Sequence, residues 1–276
     1  MPLLFKMLSR WPLWLLHGCG AALGWIAFLA SGRYRQRFLA HAALAGYPFA
    51  SVVGAVGNAG RMVAELPRLW MGAPIHCEWD NDPCIARAYA AGKGVVFLTP
   101  HLGCFEISAQ GVAQRYGAKF GPLTVLYRPA RQEWLSRMMV RARDKPGLRT
   151  APTNLAGVRQ MVRALRQGHA VGLLPDQVPP FGMGLWSPFF GRDAYTMTLS
   201  ARLAQQTGAT VLLAWGERLA GGRGFRLHFR ELVHPLPAEL DAAVEQVNQA
   251  MEGLIRECPA QYLWGYARYK PPRLAP

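Results

Sequence analysis

The fold class is decided by one stretch of the sequence, Val95-Val96-Phe97-Leu98-Thr99-Pro100-His101-Leu102-Gly103-Cys104-Phe105-Glu106. Its first half is a short apolar run, which is typical of a strand buried on both faces of a parallel sheet. The same pattern returns at 123–127, 170–174 and 210–214. Segments long enough for helices lie between these runs, at 105–116, 132–143, 154–167 and 197–207. This alternation predicts an α/β fold with a mostly parallel central sheet flanked by helices.

The rest of the chain completes this arrangement. Residues 225–230 alternate apolar with polar and predict a half-exposed edge strand, and residues 240–258 predict a closing amphipathic helix. Small and apolar residues at 37–70 predict one or two helices. The segment 178–191 is rich in proline, glycine and aromatic residues and is interpreted as a loop.

Composition restricts the classes of function. The chain has 276 residues, 51% of them hydrophobic, which excludes a disordered protein. Its 31 Lys and Arg against 16 Asp and Glu give a net charge of +15, which favours anionic partners: phospholipid surfaces, phosphorylated glycolipids, acidic proteins or nucleic acid. The five cysteines form no CxxC pair and are too sparse for a disulfide scaffold, so a reducing compartment is expected.

The N-terminal region predicts a hydrophobic membrane-anchor helix. Residues 11–30 carry no formal charge and are about long enough to cross a bilayer. Lys6 and Arg10 precede this segment, and Arg33, Arg35 and Arg37 follow it, so the positive-inside bias keeps the bulk of the chain in the cytoplasm. A spanning anchor is the favoured interpretation; a helix lying in one leaflet, a removed signal peptide and a soluble core helix are the alternatives. The predicted division is an anchor at 1–40 and a catalytic domain at 41–276.

Candidate catalytic residues follow the predicted strands, where an α/β sheet places reactive groups. His101 comes just after a buried strand, and Glu106 comes five residues later in the first turn of a helix. A carboxylate that accepts from one imidazole nitrogen leaves the other free to take a proton from an alcohol. The competing interpretation is a packed histidine with a glutamate that favours a helix N-terminus. Tyr127-Arg128 and Asp176-Gln177 end two further strands, and polar groups at three strand ends favour one shared site.

These motifs resemble the lysophospholipid acyltransferase superfamily and, within it, the lipid A biosynthesis acyltransferases, the late lauroyl or myristoyl transferases of Gram-negative bacteria. The resemblance covers about residues 61–270. It is carried by His-x4-Glu at His101 and Glu106, by Tyr127-Arg128-Pro129, by Asp176-Gln177 running to Phe189-Phe190-Gly191 and Thr196, and by Gln261-Tyr262-Leu263-Trp264 with Arg268. Cys104 and Phe105 replace the Asn and Trp that are common in the lipid A branch.

The resemblance implies transfer of a fatty acyl chain from acyl carrier protein to a hydroxyl of a lipid A precursor, at the cytoplasmic side of the bacterial inner membrane. His101 would deprotonate the hydroxyl and Glu106 would orient the imidazole. Tyr127 and Gln177 would contact substrate, Arg128 or Arg143 would hold a phosphate, and Asp176 would order those arginines or bind the acceptor. The acyl carrier protein thioester would serve as co-substrate, with inner-membrane lipids as further partners and with no cofactor, metal or nucleic acid.

Three alternatives remain open at this point. The nearest is an acyltransferase that acts on another lysolipid or aminolipid, with acyl-CoA as an alternative donor. A metal hydrolase is disfavoured because the sequence has no HExxH motif. A basic membrane- or nucleic-acid-binding protein without catalysis agrees with the charge, but the basic residues are spread along the chain. The arginine-rich side of the helix at 154–167 is expected to be a solvated or lipid-headgroup-facing surface, with a dock for acidic acyl carrier protein as the alternative.

Overall fold

A computed structural model describes residues 2–127, 132, 139 and 145–274. Within them the chain forms nine strands. The strands are β1 (Cys77–Asp80), β2 (Val95–Leu98), β3 (Leu123–Tyr127), β4 (Leu148–Pro152), β5 (Ala170–Leu173), β6 (Gly184–Phe189), β7 (Arg192–Met197), β8 (Thr210–Arg218) and β9 (Phe225–Glu231). Seven of them form one sheet in the order β1-β9-β8-β2-β5-β3-β4, and only the β8–β9 pair is antiparallel. The predicted α/β class with a mostly parallel sheet is confirmed.

Helices cover both faces of this sheet. In the N-terminal part they are α1 (Pro2–Leu8), α2 (Leu13–Ala30), α3 (Gly32–Leu44), α4 (Phe49–Ala64) and α5 (Leu66–Met71). Around the strands they are α6 (Pro83–Ala90), α7 (Phe105–Phe120), α8 (Leu155–Arg166), α9 (Leu199–Thr207) and α10 (Leu240–Glu257). The segment predicted as one or two helices at 37–70 therefore contributes to three, α3 to α5. The predicted helix at 132–143 lies outside the described residues, apart from positions 132 and 139.

Strand β2 shows why the sheet has two cores. All four of its residues are buried, and side chains alternate between the faces of a strand. Val96 and Leu98 belong to one apolar cluster, with α2, α3, α4, α8 and α10. Val95 and Phe97 belong to the other, with α5, α6 and α7. A run without alternation is therefore the expected sequence of a central strand covered by helices on both sides.

Two details of the predicted sheet are wrong. Strand β9 is not an edge strand, because β1 pairs with it on the side opposite β8. Trp79 of β1 stacks on Phe229 of β9 with ring centroids 5.6 Å apart, so that flank of β9 is covered. The segment 178–191 is not all loop, since it contains β6, which pairs with β7 in a separate antiparallel hairpin. The three prolines and three glycines of this segment concealed the strand pattern there.

The N-terminal helices pack closely on one another. A Cβ atom on Gly60 of α4 would collide with the carbonyl oxygen of Gly20 on α2, and one on Gly24 would collide with the carbonyl oxygen of Val56. Small residues at these positions let the two backbones approach within a distance that no larger side chain allows. Val52, Ala55 and Val56 of α4 lie in turn in the core beside the sheet. Helix α2 is thereby fixed to the α/β unit through α4.

Candidate functional site

The loop that carries His101 leaves β2 at the carboxyl edge of the sheet and is held by backbone hydrogen bonds. The N–H of Leu263 donates to the carbonyl of His101 at 3.2 Å, and the N–H of Cys104 donates to the carbonyl of Gly216 at 2.7 Å. Gly103 has a φ of 56° and approaches Gly216 so closely that a Cβ atom would collide with its carbonyl oxygen. Glycine tolerates both the positive φ and the close approach because it has no Cβ atom. The backbone around His101 is therefore fixed from two sides.

Asp176, which follows β5, holds the imidazole of His101. Its Oδ1 lies 2.7 Å from Nδ1 of the ring, and its Oδ2 accepts from the backbone N–H of His101 at 2.8 Å. Burial opposes ionisation of Asp176, but the charge and hydrogen bonds of His101, together with Arg268, outweigh it and lower the pKa of the carboxyl. An ionised carboxylate only accepts hydrogen bonds, so Nδ1 carries the proton in the neutral ring.

The other ring nitrogen points toward Gln177. The amide Nε2 of Gln177 lies 2.9 Å from Nε2 of His101, an arrangement in which the amide donates to the free lone pair of the ring. The His101 side chain retains 16% of its exposure, whereas that of Asp176 retains 2%. The site thus combines a partly exposed imidazole, whose Nε2 faces Gln177, with a buried carboxylate behind it, which is the geometry of a general base with an orienting group.

Glu106, the predicted partner of His101, is buried in the first turn of α7. It lines a narrow apolar cavity of about 70 Å³ with Thr99, Phe105, Ser108 and Leu126. Its negative charge also favours the protonated form of Lys145, whose pKa burial lowers. Nδ1 of His101 bears a single hydrogen, and Asp176 accepts it. The structure therefore gives Asp176 the orienting contact that the sequence suggested for Glu106, while the catalytic role of Glu106 stays a prediction.

The order of the strands explains how distant residues meet. β2 pairs with β5 in the register Leu98 with Leu173, and β5 pairs with β3, so three parallel strands end side by side. His101 and Asp176–Gln177 follow two of them, and Tyr127, the last residue of β3, ends the third in a half-buried position. Arg128 and Arg143, predicted to hold a phosphate, lie outside the described residues.

A second buried network, which the sequence did not suggest, lies behind the His101 loop. Glu65, at the end of α4, accepts from Nε and a terminal nitrogen of Arg218 at 2.9 and 2.7 Å. The same terminal nitrogen of Arg218 donates to the carbonyl of Gly103 at 2.7 Å, and His17 of α2 contacts Glu65 at 3.0 Å. Burial alone would raise the pKa of Glu65, but Arg218 and His17 lower it. The network ties α2 and α4 to the loop two residues beyond His101.

Two further features bear on the chemistry. Among the described residues, no group of three or more His, Cys, Asp or Glu side chains is arranged to hold a metal ion. Cys104 lies three residues after His101, but burial raises the pKa of its thiol well above the ordinary value, with Glu65 adding to the effect. A thiol kept protonated is a poor nucleophile, so the histidine is the stronger candidate for the reacting group.

Comparison with known proteins identifies the family of this chain. The family model described as bacterial lipid A biosynthesis acyltransferase matches residues 52–271. The chain belongs to this family. The match includes His101, Asp176, Gln177 and Arg268, and it leaves α1, α2 and α3 outside.

Curated relatives are distant in sequence. The chain is 26% identical to the lipid A biosynthesis palmitoleoyltransferase of Escherichia coli over 189 residues, which are 67% of this chain and 59% of that protein. The lipid A biosynthesis acyltransferase of Shigella flexneri matches with the same identity and coverage. The lipid A biosynthesis lauroyltransferase of Escherichia coli is 31% identical over 117 residues, 41% of this chain and 38% of the relative. The matched regions therefore span less than two thirds of the length of these relatives.

Proposed function

We propose that this protein is an acyltransferase that moves a fatty acyl chain from a thioester donor to a hydroxyl group of a lipid A precursor. The observation that carries the proposal is the His101–Asp176 pair, in which a buried carboxylate fixes the tautomer of a partly exposed imidazole. Family membership supports the acyl-transfer chemistry and the class of acceptor. The names of the relatives, a palmitoleoyltransferase and a lauroyltransferase of lipid A biosynthesis, point the same way.

The proposed reaction uses His101 as general base. The acceptor hydroxyl displaces the Gln177 amide at Nε2 of His101 and gives its proton to that nitrogen as its oxygen attacks the thioester carbonyl carbon. Asp176 stabilises the resulting imidazolium through Nδ1. When the tetrahedral intermediate collapses, the carbon–sulfur bond breaks and Nε2 returns the proton to the leaving thiolate. No acyl-enzyme forms, which agrees with the protonated state of Cys104.

Acyl carrier protein is the proposed donor, and the electrostatics of α8 support it. Arg159, Arg163 and Arg166 are exposed on this helix, and no described carboxylate pairs with them. With a net charge of +15 for the chain, such a face attracts an acidic carrier protein. Acyl-CoA is the competing donor. The proposed location is the cytoplasmic side of the inner membrane, where the apolar helix α2 would provide attachment.

The apolar cavity beside Glu106 is the proposed place for the start of the acyl chain. Phe105, Val112, Val125 and Leu173 contribute to its wall, and it opens beside the carboxyl edge of the sheet that carries His101. A cavity of about 810 Å³ lies along a different face of α7, between that helix and the segment that follows α5. His101 lines neither cavity, but Phe105, whose ring centroid lies 5.2 Å from that of His101, lines the narrow one. Proximity to the base therefore favours the narrow cavity for the reacting end of the donor.

The test is acyl transfer by purified protein, with acyl-acyl carrier protein and a tetra-acylated lipid A precursor, followed by product mass. Wild type should add one acyl mass, and His101→Ala should lower the rate by about 10²–10⁴-fold, the usual contribution of a general base. His234→Ala removes an exposed histidine and should leave the rate unchanged. Transfer to a lysophospholipid but not to the precursor would remove the lipid A assignment, and equal rates in wild type and His101→Ala would remove the proposed mechanism.

A further inference from the structure

Helix α2 exposes a large share of its apolar side chains. Its inward stripe contains Leu13, Leu16 and Phe28 together with the polar His17 and two glycines, Gly20 and Gly24. Its outward face contains large apolar side chains and no charged residue; the exposed large ones are Trp14, Leu23, Trp25, Ile26 and Leu29. A soluble core helix buries its bulky apolar residues, whereas only 33% of α2 is buried. The outward face of α2 therefore requires an apolar environment.

The apolar surface extends beyond α2. Among the described residues, fourteen of the twenty exposed large apolar side chains lie within residues 3–71. Leu3, Leu4 and Met7 of α1 and Phe49 and Val53 of α4 belong to this set. We call the outward side chains of α1, α2 and α4 the lipid face. A surface of this extent marks contact with a membrane or with another protein.

Charge identifies a lipid surface as the partner. Residues 1–64 contain six basic residues and neither Asp nor Glu. Lys6 and Arg10 are exposed before α2, and Arg33 is exposed directly after it. Basic groups on both sides of an apolar face complement a leaflet with anionic headgroups.

Both flanks of α2 are attached to the same α/β unit. Before the helix, Phe5 stacks on Trp70 of α5 with ring centroids 6.2 Å apart, and Arg68 donates to the carbonyl of Ser9 at 3.1 Å. After the helix, His41 of α3 contacts the carbonyl of Trp264 at 2.9 Å. A spanning helix places its two flanks on opposite sides of a hydrocarbon layer about 30 Å thick. The attachments at both flanks are incompatible with that arrangement.

We infer that α2 does not cross the membrane and that the lipid face lies in one leaflet of an anionic phospholipid bilayer, with α2 along the surface. Eighteen residues give α2 a length of about 27 Å, which in this orientation is spread parallel to the bilayer. The N-terminus and the α/β unit are then on the same side of the membrane.

This orientation brings the carboxyl edge of the sheet, which carries His101, close to lipid. Asn58 of α4 donates to the carbonyl of Ala260 at 2.9 Å, and Leu263 in the same segment donates to the carbonyl of His101. One chain segment, 259–264, thus separates the helix pair of the lipid face from the loop of His101. A lipid hydroxyl held at the headgroup level reaches the base without leaving the membrane surface.

Topology is tested with cysteines at the two ends of the full-length chain. Arg10→Cys replaces an exposed residue that precedes α2 and is not part of the lipid face, Leu274→Cys replaces a residue that is 82% exposed, and the parent variant carries Cys19→Ala because Cys19 is exposed on α2. Each protein is expressed in bacteria, and a membrane-impermeant maleimide is applied to right-side-out and inverted inner-membrane vesicles. Labelling of both sites from the same side is expected; labelling from opposite sides would show a spanning helix and overturn the inference. The parent variant measures background labelling.

Lipid contact is tested by flotation with vesicles of phosphatidylglycerol and phosphatidylcholine. Leu23→Glu and Ile26→Glu each place a charge on the lipid face, and each should weaken partition into the vesicles by about tenfold or more, because the variant loses the burial of a Leu or Ile side chain in the leaflet. Val233→Glu is the matched control at an 85% exposed position outside the lipid face. Equal flotation of Ile26→Glu and wild type, or no flotation of wild type, would contradict the inference; circular dichroism confirms that each variant is folded.

The inference is independent of the proposed acyl transfer. His101→Ala leaves the lipid face intact and should float like wild type even if it is inactive. Acyl transfer that fails while flotation is normal would contradict only the proposed function. Normal transfer with the two cysteines labelled from opposite sides would contradict only this inference.

Discussion

Two buried carboxylates, Asp176 and Glu65, have opposite surroundings. Asp176 holds His101, whose side chain keeps 16% of its exposure, whereas Glu65 holds Arg218 and His17, whose side chains keep 3% and 8%. Both carboxyl groups have a lowered pKa despite their burial. The difference lies in the partner: a titratable base that reaches solvent can exchange a proton with a substrate, whereas an enclosed guanidinium only fixes the backbone around it. We propose that exposure of the partner, more than the pKa of the carboxylate, separates the reactive pair, His101–Asp176, from the structural pair, Glu65–Arg218.

The largest expected effect is on the reactive pair. Asp176→Asn keeps the size of the side chain but removes the charge that fixes the tautomer of His101, so the acyl-transfer rate should fall by about 10²–10⁴-fold. Stopped assays with acyl-acyl carrier protein measure the rate, and thermal unfolding shows whether the fold survives. A rate near that of wild type would remove Asp176 from the proposed mechanism.

For the structural pair, Glu65 and Arg218, changes are expected to affect stability. Arg218→Met leaves Glu65 buried without its main partner, and the free energy of unfolding should fall by about 3–5 kcal/mol. The double variant Glu65→Leu/Arg218→Met removes both charges and should lose less than the sum of the single changes. Denaturant titration in detergent measures all four proteins. Additive losses would show that the two residues do not depend on each other.

A smaller loss of stability is expected from changes in the contact between α4 and α2, which keeps His17 beside Glu65. Gly60→Ala places a methyl group against the carbonyl of Gly20, and relieving this collision should cost about 1–3 kcal/mol of stability. Gly18→Ala, on the same helix pair, has no atom within 4 Å of the added group and should be neutral or slightly stabilising. Denaturant titration again measures the free energy of unfolding. Equal stabilities of the two variants would contradict the close packing of α2 on α4.

The smallest expected effect is a change in stability at acidic pH. The lowered pKa of Glu65 means that its contribution to stability is fully present above its ordinary value of 4.5 and is lost as the pH falls through the lower value of the folded state. The stability difference between wild type and Glu65→Gln should therefore be constant from pH 7 to 5 and shrink below 4.5. Urea titrations at each pH provide the test. A difference that grows on acidification would mean that the pKa is raised.

Much of the fold was predictable because the central strands are buried on both faces. The runs at 95–99, 123–127, 170–174 and 210–214 contain no charged residue, and each corresponds to a strand of the sheet. Strands β1 and β4 were not predicted. β1 is half-buried throughout, and β4 has the mixed sequence Leu148-Arg149-Thr150-Ala151-Pro152. Short strands with exposed positions lack the apolar signal that identified the others.

The site was predictable only in part. Its location at the strand ends follows from the sheet, and His101 follows from its position after β2. The partner of His101 does not, because Asp176 is 75 residues away and reaches the ring only through the pairing of β2 with β5. Strand order is set by crossover connections, which local sequence patterns do not encode. Glu106 was the nearest carboxylate in the sequence, whereas Asp176 is the one in hydrogen-bond contact with Nδ1.

The most direct test of this comparison is the single-turnover rate of acyl transfer, normalised to folded protein, for Asp176→Asn and Glu65→Gln side by side. The predicted result is a folded Asp176→Asn that has lost the chemical step and a destabilised Glu65→Gln that retains it. A folded Asp176→Asn with the rate of wild type, beside a Glu65→Gln that is stable but inactive, would contradict the assignment and place the reactive carboxylate at the other pair.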